Sequence, residues 1–174
     1  SINLKKLKEI SAETTKLTSI VFMILLGATS FSLVFRGLEG DKILVDLITS
    51  SSLSPEIFLI YVLITVFIAG FFIDFIEIIF IIVPVIAPIL IALDIDLIWV
   101  GIMLAINLQT SFLTPPFGFS LFYLKSVSPK EVNTSDIYRG VIPFVIIQVL
   151  FLIFLFFNPE YAYIIPEFLE NYNS

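Results

Sequence analysis

A polar stretch with two adjacent prolines interrupts a long apolar segment, residues 97–127. The stretch covers residues 109–118 and reads Gln-Thr-Ser-Phe-Leu-Thr-Pro-Pro-Phe-Gly. Pro115 and Pro116 donate no backbone N–H and disfavour a helical residue before them, so carbonyl groups one turn earlier are expected to lose their partners. Gly118 tolerates backbone conformations that larger residues resist. The pattern predicts a helix that is opened at membrane depth.

An opened membrane helix offers hydroxyl and carbonyl oxygens, which are ligands suited to a hard cation such as sodium. Discontinuous helices of this kind hold substrate and coupling ions in secondary transporters. The alternative is a proline-kinked helix whose freed carbonyl groups are satisfied by neighbouring Ser and Thr side chains. The break alone does not decide between the two.

Two carboxylates stand inside a second apolar segment, residues 57–93, where Asp74 and Glu77 are the only charged residues. Their spacing is that of a capping box with Asp in place of Ser or Thr. An ionisable side chain within a membrane segment is costly enough to suggest a function. A simple helix cap near one membrane surface is the alternative, and the two roles are compatible.

The composition is that of a membrane protein: 59% of the 174 residues are hydrophobic, 14% are charged and the mean hydropathy is +1.09. The basic residues are few and dispersed, so the net charge of −6 does not indicate nucleic-acid binding. Without cysteine or histidine, disulfides, thiolate metal sites and the usual general base are excluded. We therefore expect neither an enzyme nor an organic cofactor.

The expected fold is all-α and integral to the lipid bilayer. We predict a membrane domain over residues 17–157, preceded by an amphipathic surface helix or a polar linker at 1–16 and followed by a surface tail at 158–174. Its elements are spans at 17–35, at 97–127 with a break at 114–118, and at 137–157, a short interfacial helix after the first span, and a helical hairpin at 55–94.

The hairpin is inferred from length and from charge. Residues 57–93 are too many for one span, which needs roughly 20 residues, and they contain no polar connector, so a tight turn is predicted at 70–77. With the N-terminal segment in the cytoplasm and a re-entrant hairpin, the tail is periplasmic and most basic residues lie inside. The inside residues are then Lys5, Lys6, Lys8, Lys16, Lys125, Lys130 and Arg139.

Several blocks of the sequence together resemble the C-terminal half of the large membrane subunit of TRAP transporters, the tripartite ATP-independent periplasmic carriers. The blocks are residues 70–77 (Gly-Phe-Phe-Ile-Asp-Phe-Ile-Glu), Pro84 and Pro88, Trp99, residues 109–118, 121–125 and 136–143. The resemblance covers nearly the whole chain after its N-terminal segment. It implies one repeat of an inverted-repeat, elevator-type carrier.

The resemblance further implies sodium-driven import of organic acids across the bacterial inner membrane. A periplasmic binding protein would deliver the substrate, and a small membrane subunit and the N-terminal half of the large subunit would be partners. Carried onto this sequence, the implied sodium ligands lie at Gly70, Asp74, Thr114, Pro115 and Gly118. Implied substrate contacts are Gln109, Thr110 and Ser111, with helix–helix hydrogen bonds as the alternative, which we prefer for Asn107.

Two other functions remain open from the sequence. A channel subunit needs a continuous water-filled path, and substrate counterflow would separate it from a carrier. A non-transporting membrane scaffold would bind neither sodium nor an organic acid. The sequence does not name the substrate.

Overall fold

The computed structural model describes residues 3–51, 53–115, 118–129, 131–164, 166 and 168–169. Within this part the chain is helical and contains no strand, which confirms the all-α class. The helices are α1 (Leu4–Gly37), α2 (Gly40–Ser50), α3 (Pro55–Ala69), α4 (Phe75–Ala92), α5 (Leu97–Leu113), α6 (Phe119–Val127) and α7 (Thr134–Phe157). A 3-10 turn at Pro159–Ala162 follows α7.

Three helices, α1, α4 and α7, are long and apolar enough to cross a membrane by length and composition. The helices α3 and α5 are apolar but shorter. The second hairpin arm, α4, thus has the length of a full span, and its re-entrant placement stays a prediction. The predicted surface tail falls partly on residues 165, 167 and 170–174, and Lys130 of the charge argument also lies outside the described residues.

The first helix is longer than the predicted span. Asn3 caps it by accepting a hydrogen bond from the Lys5 N–H at 3.4 Å, and α1 then continues without interruption for 34 residues. At about 1.5 Å per residue, it measures about 50 Å, well beyond a hydrocarbon core of about 30 Å. The predicted segment 1–16 is therefore, where described, the start of the same helix, and not a polar linker.

The predicted hairpin consists of α3, a turn at residues 70–74, and α4. Ser54 caps α3 by accepting from the Ile57 N–H at 3.4 Å, and Pro55 takes the first helical position. Residues from the start of α3 and residues directly after α4 line one cavity, so both open ends of the hairpin lie at the same end of the molecule. The arms pack on different neighbours: α3 mainly on α5, and α4 mainly on α1 and α2.

The centre of the protein is α5, which lies between α3 and α7. Two hydrogen bonds tie it to these neighbours. The Asn107 Nδ2 group donates to the Leu63 carbonyl of α3 at 2.8 Å, and the Trp99 Nε1 group donates to the Leu155 carbonyl of α7 at 3.0 Å. The helix–helix role preferred for Asn107 is therefore confirmed. These bonds hold α5 in position relative to the hairpin, and with it the break that follows Leu113.

Candidate functional site

The tip of the hairpin rests directly on α5. Gly70 is buried, and a Cβ atom added to it would lie 2.1 Å from the Ser111 Oγ atom and 2.9 Å from the Ser111 Cβ atom. Its backbone angles, φ −64° and ψ −9°, are ordinary for any residue. Gly70 lies directly after α3, at the start of the predicted turn. The structure needs glycine there for the close approach to Ser111 and not for an unusual backbone conformation.

The acidic residues of the tip begin the second arm. Asp74 caps α4 by accepting from the Ile76 N–H at 3.0 Å, in the position where a negative charge also interacts favourably with the helix dipole. Glu77 lies in the first turn. The reciprocal bond from the Asp74 N–H to Glu77 is not formed among the described residues, so the capping-box prediction is right for Asp74 and wrong for Glu77.

The interruption of the span predicted at residues 97–127 falls at the expected place. Helix α5 ends at Leu113, Thr114 is extended (φ −91°, ψ 127°), and α6 begins after Gly118. Pro116 and Phe117 lie outside the described residues. Gly118 has a negative φ of −29°, and a Cβ atom there would lie 2.8 Å from the Phe112 carbonyl oxygen. Close approach to this carbonyl oxygen is therefore one reason for glycine at this position too.

Carbonyl groups next to the break regain partners within the same turn. The Thr114 hydroxyl donates to the Thr110 carbonyl at 2.7 Å, and the Thr114 N–H donates to the Ser111 carbonyl at 3.0 Å. The expectation that these two carbonyls lose their partners is therefore wrong. A carbonyl oxygen carries two lone pairs, so each retains room for a cation, as does the Thr114 oxygen after donating its proton.

Packing brings the tip and the break together. Besides the contact of Gly70 with Ser111, the ring of Phe75, next to Asp74, meets the ring of Phe112 edge-on with centroids 5.7 Å apart. The described residues contain no group of three or more acidic, histidine or cysteine side chains able to hold a metal ion. A cation at this junction would therefore depend on hydroxyl and backbone oxygens, with at most one or two carboxylates.

The three residues assigned to substrate do not share one surface. Gln109 is exposed and lines a cavity of about 480 Å³ between α4, α5 and α6, together with Phe75 and Ser120. Thr110 and Ser111 are fully buried, and their hydroxyls donate to the carbonyls one turn earlier at 2.7 and 2.9 Å. Successive helical residues point in different directions, so one of the three reaches this cavity.

Ser120 was missed by sequence reasoning, although a signal was present. It lies in the first turn after the break, two residues beyond Gly118. A hydroxyl immediately after a helix break is placed where the chain opens. It is the second polar side chain of the cavity that holds Gln109.

The opposite end of α5 is fixed by a separate polar cluster. The Asp96 carboxylate caps α5, accepting from the Ile98 and Trp99 N–H groups at 2.8 and 2.9 Å. A hydrogen bond from the Tyr163 hydroxyl, and then the bond from Trp99, hold the pKa of Asp96 below its ordinary value. Burial and this carboxylate raise the pKa of Tyr163 to about 12. The residues after α7 are thereby fastened to the start of α5.

Comparison with known proteins identifies one family. Residues 1–161 match the family described as "Tripartite ATP-independent periplasmic transporter, DctM component". The C4-dicarboxylate TRAP transporter large permease protein DctM of Pseudomonas aeruginosa is 30% identical over 168 residues, covering 97% of this chain and 39% of the relative.

Two further relatives differ in the substrate that their names give. The sialic acid TRAP transporter large permease protein SiaM of Vibrio cholerae is 26% identical over 174 residues, covering 100% of this chain and 40% of the relative. The ectoine TRAP transporter large permease protein TeaC of Halomonas elongata is 26% identical over 162 residues, covering 93% and 38%. The chain thus spans about two fifths of the length of the curated relatives it matches.

Proposed function

The chain belongs to the DctM component family of the tripartite ATP-independent periplasmic transporters, and on this premise we propose that it forms the C-terminal part of the large permease subunit of a sodium-coupled importer of organic acids. The observation that carries the proposal is the contact of Gly70 with Ser111, three residues before the extended Thr114. A hairpin tip seated beside an opened helix is an arrangement in which one ion can bind both elements.

The proposed sodium site lies at this junction. Its oxygen ligands are the Thr114 hydroxyl and the carbonyl groups of Thr110 and Ser111, and the Asp74 carboxylate supplies negative charge from the tip. Sodium bound there would attract the hairpin tip to the break, so the position in which the tip lies against α5 would be favoured when sodium is present. That dependence is what couples an ion gradient to substrate binding.

The proposed substrate site is the cavity in front of the break. Gln109 and Ser120 offer neutral hydrogen-bonding groups, and Phe75, Phe112 and aliphatic side chains form an apolar wall. None of the described residues that line this cavity is Lys or Arg. These residues therefore suit the neutral part of an organic acid, and the group that balances its carboxylate would come from the rest of the large subunit.

We further propose the partners and placement that the family suggests. The N-terminal half of the large subunit would complete the substrate site, a small membrane subunit would accompany it, and a periplasmic binding protein would deliver the substrate. The assembly would lie in the bacterial inner membrane with α1 starting in the cytoplasm. Charge supports this orientation, since α1 begins among four lysines.

Counterflow in proteoliposomes tests the proposal. The chain is co-reconstituted with an N-terminal half of a TRAP large permease, a small subunit and a binding protein. Sodium-dependent exchange of a labelled organic acid that saturates with substrate is the expected result. Uptake without saturation would indicate a pore instead, and uptake by the 174-residue chain alone would refute the need for the N-terminal half.

A further inference from the structure

An apolar groove lies between α3 and α7. Both helices pack on α5, but they do not contact each other in the part of the chain that the structure describes. The space between them consists of two adjoining cavities of about 280 and 220 Å³ that share Leu63, Ile64 and Leu152. Along α7 the groove extends from Phe157 to Val149, about 12 Å at the rise of a helix.

The lining of the groove is almost entirely aliphatic and aromatic. The two polar exceptions among its described lining residues both lie on α5: Asn107 and Thr110. The Asn107 Nδ2 group already donates to Leu63 and the Thr110 hydroxyl to Ile106. The groove therefore suits an apolar occupant.

One end of the groove opens into an acidic cavity of about 550 Å³ that shares Phe156 and Phe157 with it. Among the residues that the structure describes, three carboxylates line this mouth, those of Glu56, Asp94 and Asp96, and no Lys or Arg does. Trp99 is beside them, and Trp is a residue favoured at the boundary between membrane and water. The occupant should therefore be apolar at one end and positively charged at the other.

We propose that the groove between α3 and α7 binds the acyl chain of a phospholipid whose ammonium headgroup lies against Glu56, Asp94 and Asp96, as phosphatidylethanolamine would. An anionic lipid such as phosphatidylglycerol would place its charge among carboxylates of the same sign. A transmembrane helix does not fit inside the groove, because about two turns of a cylinder about 10 Å in diameter, the length of the groove, occupy about 850 Å³, more than the two cavities together. The inference goes beyond the proposed transport function and does not depend on it.

The single tryptophan of the chain allows a direct test. The 174-residue chain is reconstituted into phosphatidylglycerol vesicles, and phosphatidylethanolamine brominated near the headgroup is added in increasing proportion, since bromine quenches tryptophan fluorescence on contact. Half-maximal quenching of Trp99 should occur at a mole fraction about fivefold lower than for brominated phosphatidylglycerol. That factor corresponds to roughly 1 kcal/mol, the worth of one charge near a membrane surface.

Two pairs of variants distinguish recognition of the lipid headgroup from binding of the acyl chain. Glu56→Gln with Asp94→Asn should remove the preference, and Asn is well tolerated at position 94, where φ is +55°. The control for charge is Asp46→Asn on α2. Ile64→Phe should fill the groove and weaken quenching several-fold, whereas Ile68→Phe, at an equally exposed position (both 51%) outside the groove lining, should not.

Equal quenching by the two brominated lipids, or an Ile64→Phe variant that behaves like Ile68→Phe, would overturn the proposal in favour of ordinary lipid contact. The same measurement with the N-terminal half of the large subunit present tests whether another part of the protein covers the groove. Loss of the preference there would show that protein covers the groove, which would also overturn it. Transport activity does not enter any of these outcomes, so failure of the lipid site is distinguishable from failure of the proposed function.

Discussion

Replacing Gly70 with alanine tests whether the hairpin tip is seated on α5. The new Cβ atom would start 2.1 Å from the Ser111 Oγ atom and 2.9 Å from its Cβ atom. Turning the hydroxyl relieves only the first overlap, because the second involves an atom fixed to the backbone of α5. Overpacking of this kind costs about 1–3 kcal/mol. For a protein of this size, that lowers the melting temperature by roughly 2–12 °C.

The matched second change is Ser111→Gly, which removes both obstructing atoms. Alone it should cost about 1 kcal/mol, the usual penalty for glycine inside a helix. Combined with Gly70→Ala it should restore room for the methyl group. The double variant should then be about as stable as Ser111→Gly alone, so the two changes compensate and do not add.

Thermal unfolding of the purified chain in detergent, followed by helical circular dichroism, measures all four forms. Gly101→Ala is the control, since no atom of the described residues lies within 4 Å of a Cβ atom there and alanine should be neutral or slightly stabilising in that helix. Additive losses in the double variant would mean that the tip does not rest on Ser111, and the proposed junction with the break would be refuted.

Three further predictions concern topology, the Asp74 carboxylate and pH. Single cysteines at Ser54 and Asp94 should both react with an impermeant thiol reagent added outside intact cells, and labelling of only one would reject the re-entrant hairpin. Asp74→Asn should keep the stability of the chain, because Asn caps a helix as well as Asp, but should weaken sodium activation of uptake in the assembled permease; unchanged activation would limit Asp74 to capping. Because the pKa of Asp96 is lowered in the folded protein, its carboxylate contributes stability at pH values above its ordinary pKa, near 3.9. This stability is lost as the pH falls through the lowered pKa. Tyr163→Phe removes the hydrogen bond that is the main cause of the lowered pKa of Asp96, so the acid unfolding transition, followed by tryptophan fluorescence, should move to higher pH. An unchanged transition would show that this hydrogen bond does not stabilise the protein.

Much of the fold followed from local chemistry. Two adjacent prolines cannot continue a helix, so the break after Leu113 was predictable from sequence alone, as was the helix start at Ser54 and Pro55. The helical cap at Asp74 was equally local. These features depend on residues within one turn of each other, and short-range rules describe them well.

The rest depended on contacts between distant residues. The sequence predicted a turn that starts at Gly70, but it could not show that Gly70 lies against Ser111, which is 41 positions away along the chain. The sequence also could not show in which direction each side chain of residues 109–111 points. Three consecutive polar residues do not indicate that Thr110 and Ser111 are buried and Gln109 is exposed. The start of α1 is a different case. No Pro or Gly separates residue 4 from residue 26, so the change from polar to apolar composition does not end the helix there.

Sodium activation of the Thr114→Val variant tests the proposed ion site most directly. Valine keeps the branched shape but lacks the hydroxyl, which also donates to the Thr110 carbonyl, so Thr114→Ser is needed as the variant that keeps both the oxygen and that bond. Thr49→Val serves as a second control, because the Thr49 hydroxyl makes the same kind of bond, to Val45 at 2.8 Å, on α2.

The measurement is initial uptake against sodium concentration in the permease completed by its N-terminal half, at saturating substrate and binding protein. Loss of one buried ligand, at about 1–3 kcal/mol, should raise the sodium concentration for half-activation by about ten- to a hundredfold in Thr114→Val. Thr114→Ser and Thr49→Val should remain near the unmodified protein. A half-activation concentration that is unchanged in Thr114→Val, at normal protein levels, would show that the broken helix is only a kink and that sodium binds elsewhere.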